Sequence, residues 1–135
     1  MAVVDRRTRL AASSRDGHLA LRRVERQQAV IERLDRAGGA RVRLEQLADE
    51  LGVSARTVAR DVERLRLSGV PLEVYPGRGG GVSLRPLRAL APIELDLPEV
   101  AALISSLAAL GPSVSESAAS AMRKLAGSLD QDGSG

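Results

Sequence analysis

Arg56, Arg60 and Arg64 recur at every fourth residue in "ARTVARDVERL", with Thr57 beside the first of them. Guanidinium groups at that spacing perform no covalent chemistry. They can donate paired hydrogen bonds to phosphate oxygens or to guanine O6 and N7. On a helix starting near Ala55, Val58, Val62 and Leu65 fall within a sector of about 100°, and the three arginines lie roughly opposite. One side of the helix is built for burial, the other for solvent or a polyanion. Ser54 stands immediately before the helix, where a hydroxyl can cap free backbone amides.

Little else in the chain could support a reaction. The absence of cysteine removes disulfides, thiolate metal sites and a Cys nucleophile. The single histidine, His18, has no Cys or second His with which to hold zinc. The "GRGGG" stretch at 77–81 lacks the Lys-Ser/Thr pair and the following helix of a phosphate-cradling nucleotide loop. No nucleophile, base and orienting acid fall in a suggestive arrangement. A protein that is not an enzyme, with no cofactor and no metal, is expected.

The elements that must position the arginines follow from hydrophobic spacing. Residues 1–20 are polar and Arg-rich without a sustained period, which predicts a disordered basic arm. Val24, Ile31 and Leu34 share a face of a first helix, from about Leu21 to Ala37, closed by "AGGA". After a short extended piece, Arg41 to Arg43, the residues Leu44, Leu47, Ala48 and Leu51 form the stripe of a second helix ending at Gly52. The Arg-faced third helix spans about 55–68. "VPLEVYPGRGGGVSLRP" then reads as two strands, Leu72 to Tyr75 and Val82 to Leu84, joined by a glycine-rich turn. Beyond a Pro-punctuated linker, Asp96 and Glu99 make a capping box for a fourth helix striped by Val100, Leu103, Ile104, Leu107 and Leu110. Ser113 with Glu116 is expected to open a fifth, with Ala118, Ala121, Met122, Leu125 and Leu129 on its apolar side.

The fold class is thus mainly α with a small β-hairpin: a winged helix-turn-helix followed by a two-helix C-terminal extension. The expected division is a basic arm at 1–20, a DNA-binding domain at 21–86, a linker at 87–95, a helical hairpin at 96–129 and a disordered tail at 130–135. At 135 residues, with 44% hydrophobic residues but one Tyr and no Phe or Trp, the core must be made of Leu, Val, Ile and Ala. Net charge is +3, but residues 1–88 carry +7 and residues 89–135 carry −4, so the two halves suit different partners. The N-terminus has no apolar core of a signal peptide, and "VAALISSLAAL" is about half the length of a membrane span. A cytoplasmic, nucleoid-associated protein without membrane contact is expected.

Two helices joined by Gly52, Val53 and Ser54, with a glycine-tipped hairpin behind them, match the winged helix-turn-helix plan. The major groove, about 12 Å wide, accepts one helix. Double-stranded DNA is the expected partner. Arg56 and Arg60 can pair with guanine or phosphate, and Thr57 can touch a thymine methyl or a phosphate oxygen. Arg64 lies farther along, toward the backbone, and Ser54 sits at the helix start. Arg78 at the wing tip can enter the minor groove or lie on phosphate. Asp61, nearer the core side, is expected to form a structural ion pair, and Tyr75 to pack beneath the wing.

"LEQLADELGVSARTVARDVERLRLSGVPLEVYPGRGGGVSL" resembles the helix-turn-helix type 11 winged domain at the start of WYL-domain transcriptional regulators and, less closely, DeoR-type repressors. The likeness covers about Val24 to Leu84, and "LAPIELDLPEVAALISSLAAL" resembles the linker and first helix that follow the wing in those regulators. It implies transcription regulation through DNA binding. Three features depart from the pattern. A large sensing domain normally follows, whereas this sequence ends at Gly135 as a stand-alone version or a fragment would; Val82 replaces a usual aromatic; and Gln27 and Gln28 stand where Leu is customary.

Two classes of function fit. In the first, the chain is a sequence-specific regulator, a homodimer through about 96–129, reading two half-sites. In the second, it is an interaction module that binds a larger regulator or the transcription machinery through its C-terminal helices.

Overall fold

A computed structural model describes residues 6–86 and 90–130. It contains α1 (Arg6–Arg36), α2 (Leu44–Leu51), α3 (Ala55–Leu67), β1 (Leu72–Tyr75), β2 (Gly81–Leu84), α4 (Leu97–Leu110), a 3-10 turn (Pro112–Val114) and α5 (Glu116–Leu129). The mainly helical architecture with one small hairpin is the expected one.

The arm expected to be irregular over 1–20 is instead helical from Arg6, continuous with the first helix; residues 1–5 lie outside the described part. The segment has no apolar period because Arg15 to Ala20 face solvent. It is rich in Arg, Ala and Leu, whose intrinsic preference favours helix without amphipathicity, and Gly17 opposes this by only about 1 kcal/mol. Farther along α1, Val30 and Leu34 are fully buried, with Ile31 packed beside them.

These side chains meet Leu47 and Ala48 of α2, Val58, Val62 and Leu65 of α3, Leu72 and Val82 of the hairpin, and Val42. No ring is needed because helices bearing Val, Leu and Ala approach closely. Each fully buried Leu or Val supplies roughly 1.5 to 3 kcal/mol.

Gly52 ends α2 in the left-handed region, φ 68°, and Val53 donates its N–H back to Ala48 O at 3.0 Å. That reversal sets α3 across α2. β1 and β2 pair antiparallel, with Val74 opposite Val82 and Tyr75 opposite Gly81. Val42 bridges to the other edge of β2: its N–H donates to Val82 O at 2.8 Å, and Val82 returns the bond at 2.9 Å. A Cβ on Gly81, whose φ is +142°, would stand 2.5 Å from Val42 O, so this approach requires glycine.

The capping box of α4 forms as expected: Glu99 N–H donates to Asp96 Oδ1, and Asp96 N–H to Glu99 Oε1, both at 2.9 Å. The start of α5 differs. Ser113 is consumed by the 3-10 turn that Gly111 and Pro112 initiate, and Ser115 is the cap, accepting from Ala118 N–H at 2.9 Å. Glu32 of α1 accepts from Ser117 N–H at 3.2 Å, which ties this end of the hairpin to the N-terminal domain. Within α4 and α5 only Val100 and Ala118 are buried among the described residues.

The expected outcome of truncation follows the burial. Leu34→Ala should cost roughly 2 to 5 kcal/mol, whereas Leu67→Ala, at a position 80% exposed, should change stability by no more than about 0.5 kcal/mol. Urea unfolding of the two variants measures both, and similar losses would mean that the core is misplaced.

Candidate nucleic-acid interface

The geometry of α3 is set at its start and along its buried side. Ser54 adopts extended backbone, and its Oγ accepts from Thr57 N–H at 3.1 Å, with the two hydroxyl oxygens 3.0 Å apart. The cap is therefore formed as the sequence indicated, and it engages Thr57 twice. Ser54 is exposed and Thr57 half-buried.

Val58 and Val62 face the core, which turns Arg56 and Arg60 outward; both are exposed, and neither has an ion-pair partner among the described residues. Arg64 is about half exposed, with its guanidinium 3.9 Å from Asp61. It points the same way but is tethered. Arg66, on the flank, pairs with Glu63 at 3.2 Å. The outward face of α3 thus carries two cations free to take a ligand and a third held by an internal acid.

Asp61 has no solvent exposure, and Arg26 of α1 is its counter-ion: Nε binds Oδ2, and Nη2 donates to Oδ1 at 3.1 Å. Gln27 adds a longer bond to Oδ1 at 3.5 Å. The structural ion pair expected of Asp61 is present. Its partner could not be named from sequence, because the two residues are 35 positions apart. Gln27, a departure from the regulators' usual Leu, here helps satisfy the buried acid. The hydrogen bond to Asp61 raises the Arg26 pKa above its ordinary value against the opposing effect of desolvation, and the attraction of the carboxylate adds to it.

The bridge from Val42 to Val82 brings the chain before α2 alongside the two-stranded wing. Residues 41, 43, 73 and 75 alternate away from the buried Val42 and Val82. Arg41 stacks over the Tyr75 ring, 3.6 Å from its centroid, and the Tyr75 hydroxyl donates to Glu73 at 2.6 Å. Tyr75 is half-buried and packs against the wing, as expected, but its ring also carries a cation. The hydroxyl bond is the main reason the Glu73 carboxyl lies below the ordinary carboxylate range; desolvation opposes it, and Arg85 at 3.6 Å reinforces it. Arg78 is exposed in the turn. Arg41 and Arg43 were not singled out from the sequence, although the alternation Arg-Val-Arg was the signal of an extended piece with both cations on one side.

Two helices joined at a tight turn, with a two-stranded wing behind them and an outward cationic helix face, define a winged helix-turn-helix. Comparison with known families agrees: residues 26–82 match the family model HTH_11, described as an HTH domain. The stretch is accordingly an HTH domain, and the match supports a DNA-binding regulator, from a domain type that typically does no enzymatic work. No solved structure matches the chain. No described helix is long and apolar enough to cross a membrane.

Loss of either member of the buried pair has a defined consequence. Asp61→Asn leaves the Arg26 guanidinium, only 22% exposed, without its counter-charge and should destabilise the fold by roughly 2 to 4 kcal/mol. Replacing both residues with Leu and Met should recover much of that loss. Urea melts of the single and double variants check this. An additive double variant would mean that the two side chains do not act as a pair.

Proposed function

We propose that the chain is a sequence-specific, double-stranded DNA-binding transcriptional regulator that lays α3 in the major groove and rests the wing, residues 72–84, on the adjacent backbone or minor groove. The single observation that carries this reading is the division of α3: Val58, Val62 and Leu65 are buried on one side, while Arg56 and Arg60 are exposed on the other with no ion-pair partner among the described residues. In this reading Arg56 and Arg60 read base edges, Thr57 and Ser54 approach the backbone at the helix start, Arg64 grips phosphate, and Arg78 reaches the groove beside the wing. The likeness of the quoted motifs to WYL-domain and DeoR-type regulators supports the same function. Binding to chromosomal DNA would hold the protein at the nucleoid.

The regulator is proposed to act as a homodimer through about 96–129. Supporting this, α4 carries one charged residue, Glu99, in 14 positions, yet Leu97 is 65% and Leu103 44% exposed. A helix that is apolar around most of its circumference is normally covered. A two-fold pairing there would present two recognition helices to half-sites separated by whole turns of about 10 base pairs. The same exposed leucines also favour the second reading, in which α4 and α5 bind a larger regulator or the transcription machinery.

Selection from a random duplex library with the whole chain separates the two readings. A two-fold symmetric motif is expected, and Arg60→Ala should weaken binding to it by about 1 to 3 kcal/mol and relax one position. Recovery of no motif would remove sequence-specific reading and leave the protein-binding hairpin. Light scattering at micromolar concentration tests the dimer separately, and a monomeric mass would eliminate it.

A further inference from the structure

We propose that two copies of the chain pair by reciprocal exchange: the exposed lead segment of α1 in each copy, Arg15 to Arg23, packs on the exposed face of α4 in the other. This inference rests on the homodimer reading above and names what covers the hairpin, a segment of the second copy outside 96–129.

Each surface is a leucine set among charges of one sign. On α1, Arg15, Leu19 and Arg22 follow at i, i+4 and i+7, so one stripe places a leucine between two guanidinium groups, and Arg23 borders it. All four are exposed, Leu19 by 63%. On α4, the cap Asp96 with Glu99 and Leu103 follows at i, i+3 and i+7, which puts the leucine one turn beyond an acid. Leu103 is 44% exposed, and both acids are exposed as well.

The signs are opposite. Residues 15–23 hold three arginines against Asp16, whereas residues 90–110 hold Glu94, Asp96 and Glu99 and no cation. None of these three arginines or three hairpin acids forms an ion pair among the described residues. The capping box occupies Asp96 Oδ1 and Glu99 Oε1, which leaves the second oxygen of each carboxylate for a guanidinium. Arg22 donates Nε to His18 Nε2 at 2.9 Å and keeps its terminal nitrogens for a carboxylate. With Leu19 laid on Leu103, an arginine one turn away meets Glu99 one turn away.

Within one chain the two surfaces do not cover each other, since Leu19 and Leu103 are both open to solvent. The hairpin is instead held at Glu32, which accepts from Ser117 N–H and lies about 20 Å along the rod from Leu19. A second copy satisfies both surfaces together, because a two-fold axis makes the contact twice. That both halves of the complement belong to one chain favours a copy of the chain over a different protein.

The test reads mass by light scattering of the whole chain at micromolar concentration. One variant, Arg15→Glu with Arg22→Glu, makes the lead segment acidic. The other, Glu94→Arg with Glu99→Gln, strips the hairpin of its acid excess, and Gln at that position preserves the capping box. Circular dichroism melts verify folding, which exposed substitutions should leave intact. Each variant alone is expected to be monomeric where wild type is dimeric, and an equimolar mixture should regain the dimer mass. In the mixture the acidic lead segment meets the basic hairpin, and the native pair forms at the other contact. Leu103→Glu should also dissociate the dimer, whereas Leu67→Glu, on α3, should not. Charge variants that keep the wild-type dimer mass, or a mixture that stays monomeric, would overturn the exchange while a dimeric wild type upholds the homodimer reading. If Arg15→Glu with Arg22→Glu stays dimeric but loses affinity for duplex, the lead segment serves DNA and the exchange is wrong. A monomeric wild type removes both.

Discussion

A carboxylate with no access to water cannot be left without a counter-charge, and in this fold that constraint falls on Asp61. Its position on α3 lies between the buried valines and the outward arginines, where the helix passes from apolar to cationic. Arg26 meets it from α1, so the charge that the core cannot tolerate fixes the rotation of one helix against the other. A purely apolar contact between α1 and α3 could slide or turn by a fraction of a residue at little cost. A two-point bond between a planar guanidinium and a carboxylate allows far less freedom. The orientation of the exposed arginines therefore depends on an acid that never reaches the surface.

The core around this pair explains why the molecule can do without large aromatic side chains. Val30, Val42, Val58, Val62 and Val82 present short, stiff side chains from helices and strands alike. Their small volume lets the chain before α2 come close enough to β2 for direct backbone pairing. The wing is thereby joined to the helix-turn-helix by hydrogen bonds as well as by packing, and Arg41 is brought over the Tyr75 ring.

Where a local rule decided the outcome, the sequence could be read. Gly52, Val53 and Ser54 gave the turn and the cap, the period of Val58, Val62 and Leu65 gave the buried side of α3, and the Asp96–Glu99 box gave the start of α4. Where the outcome depended on something nonlocal, or on propensity without pattern, the reading fell short. The helix before residue 21 has no apolar stripe to announce it. The expected cap, Ser113, yields to Ser115 because Pro112 commits the chain to a 3-10 turn. Arg26 gave no sign of its partner, because an ion pair across 35 residues has no signature in spacing. The outward arginines of α3 were legible, whereas the placement of Arg41 beside Tyr75 was not, since it follows only once Val42 and Val82 are paired.

The length of α1 has a mechanical consequence. Its 31 residues make a rod of about 46 Å, and the ion pair that joins it to α3 among the described residues lies well along it, at Arg26. The stretch before that point is a lever whose fulcrum is joined to α3. A load that bends or turns its far end is delivered to α3 as torque, so a spectroscopic label near Arg15 would report the orientation of a helix face some distance from it.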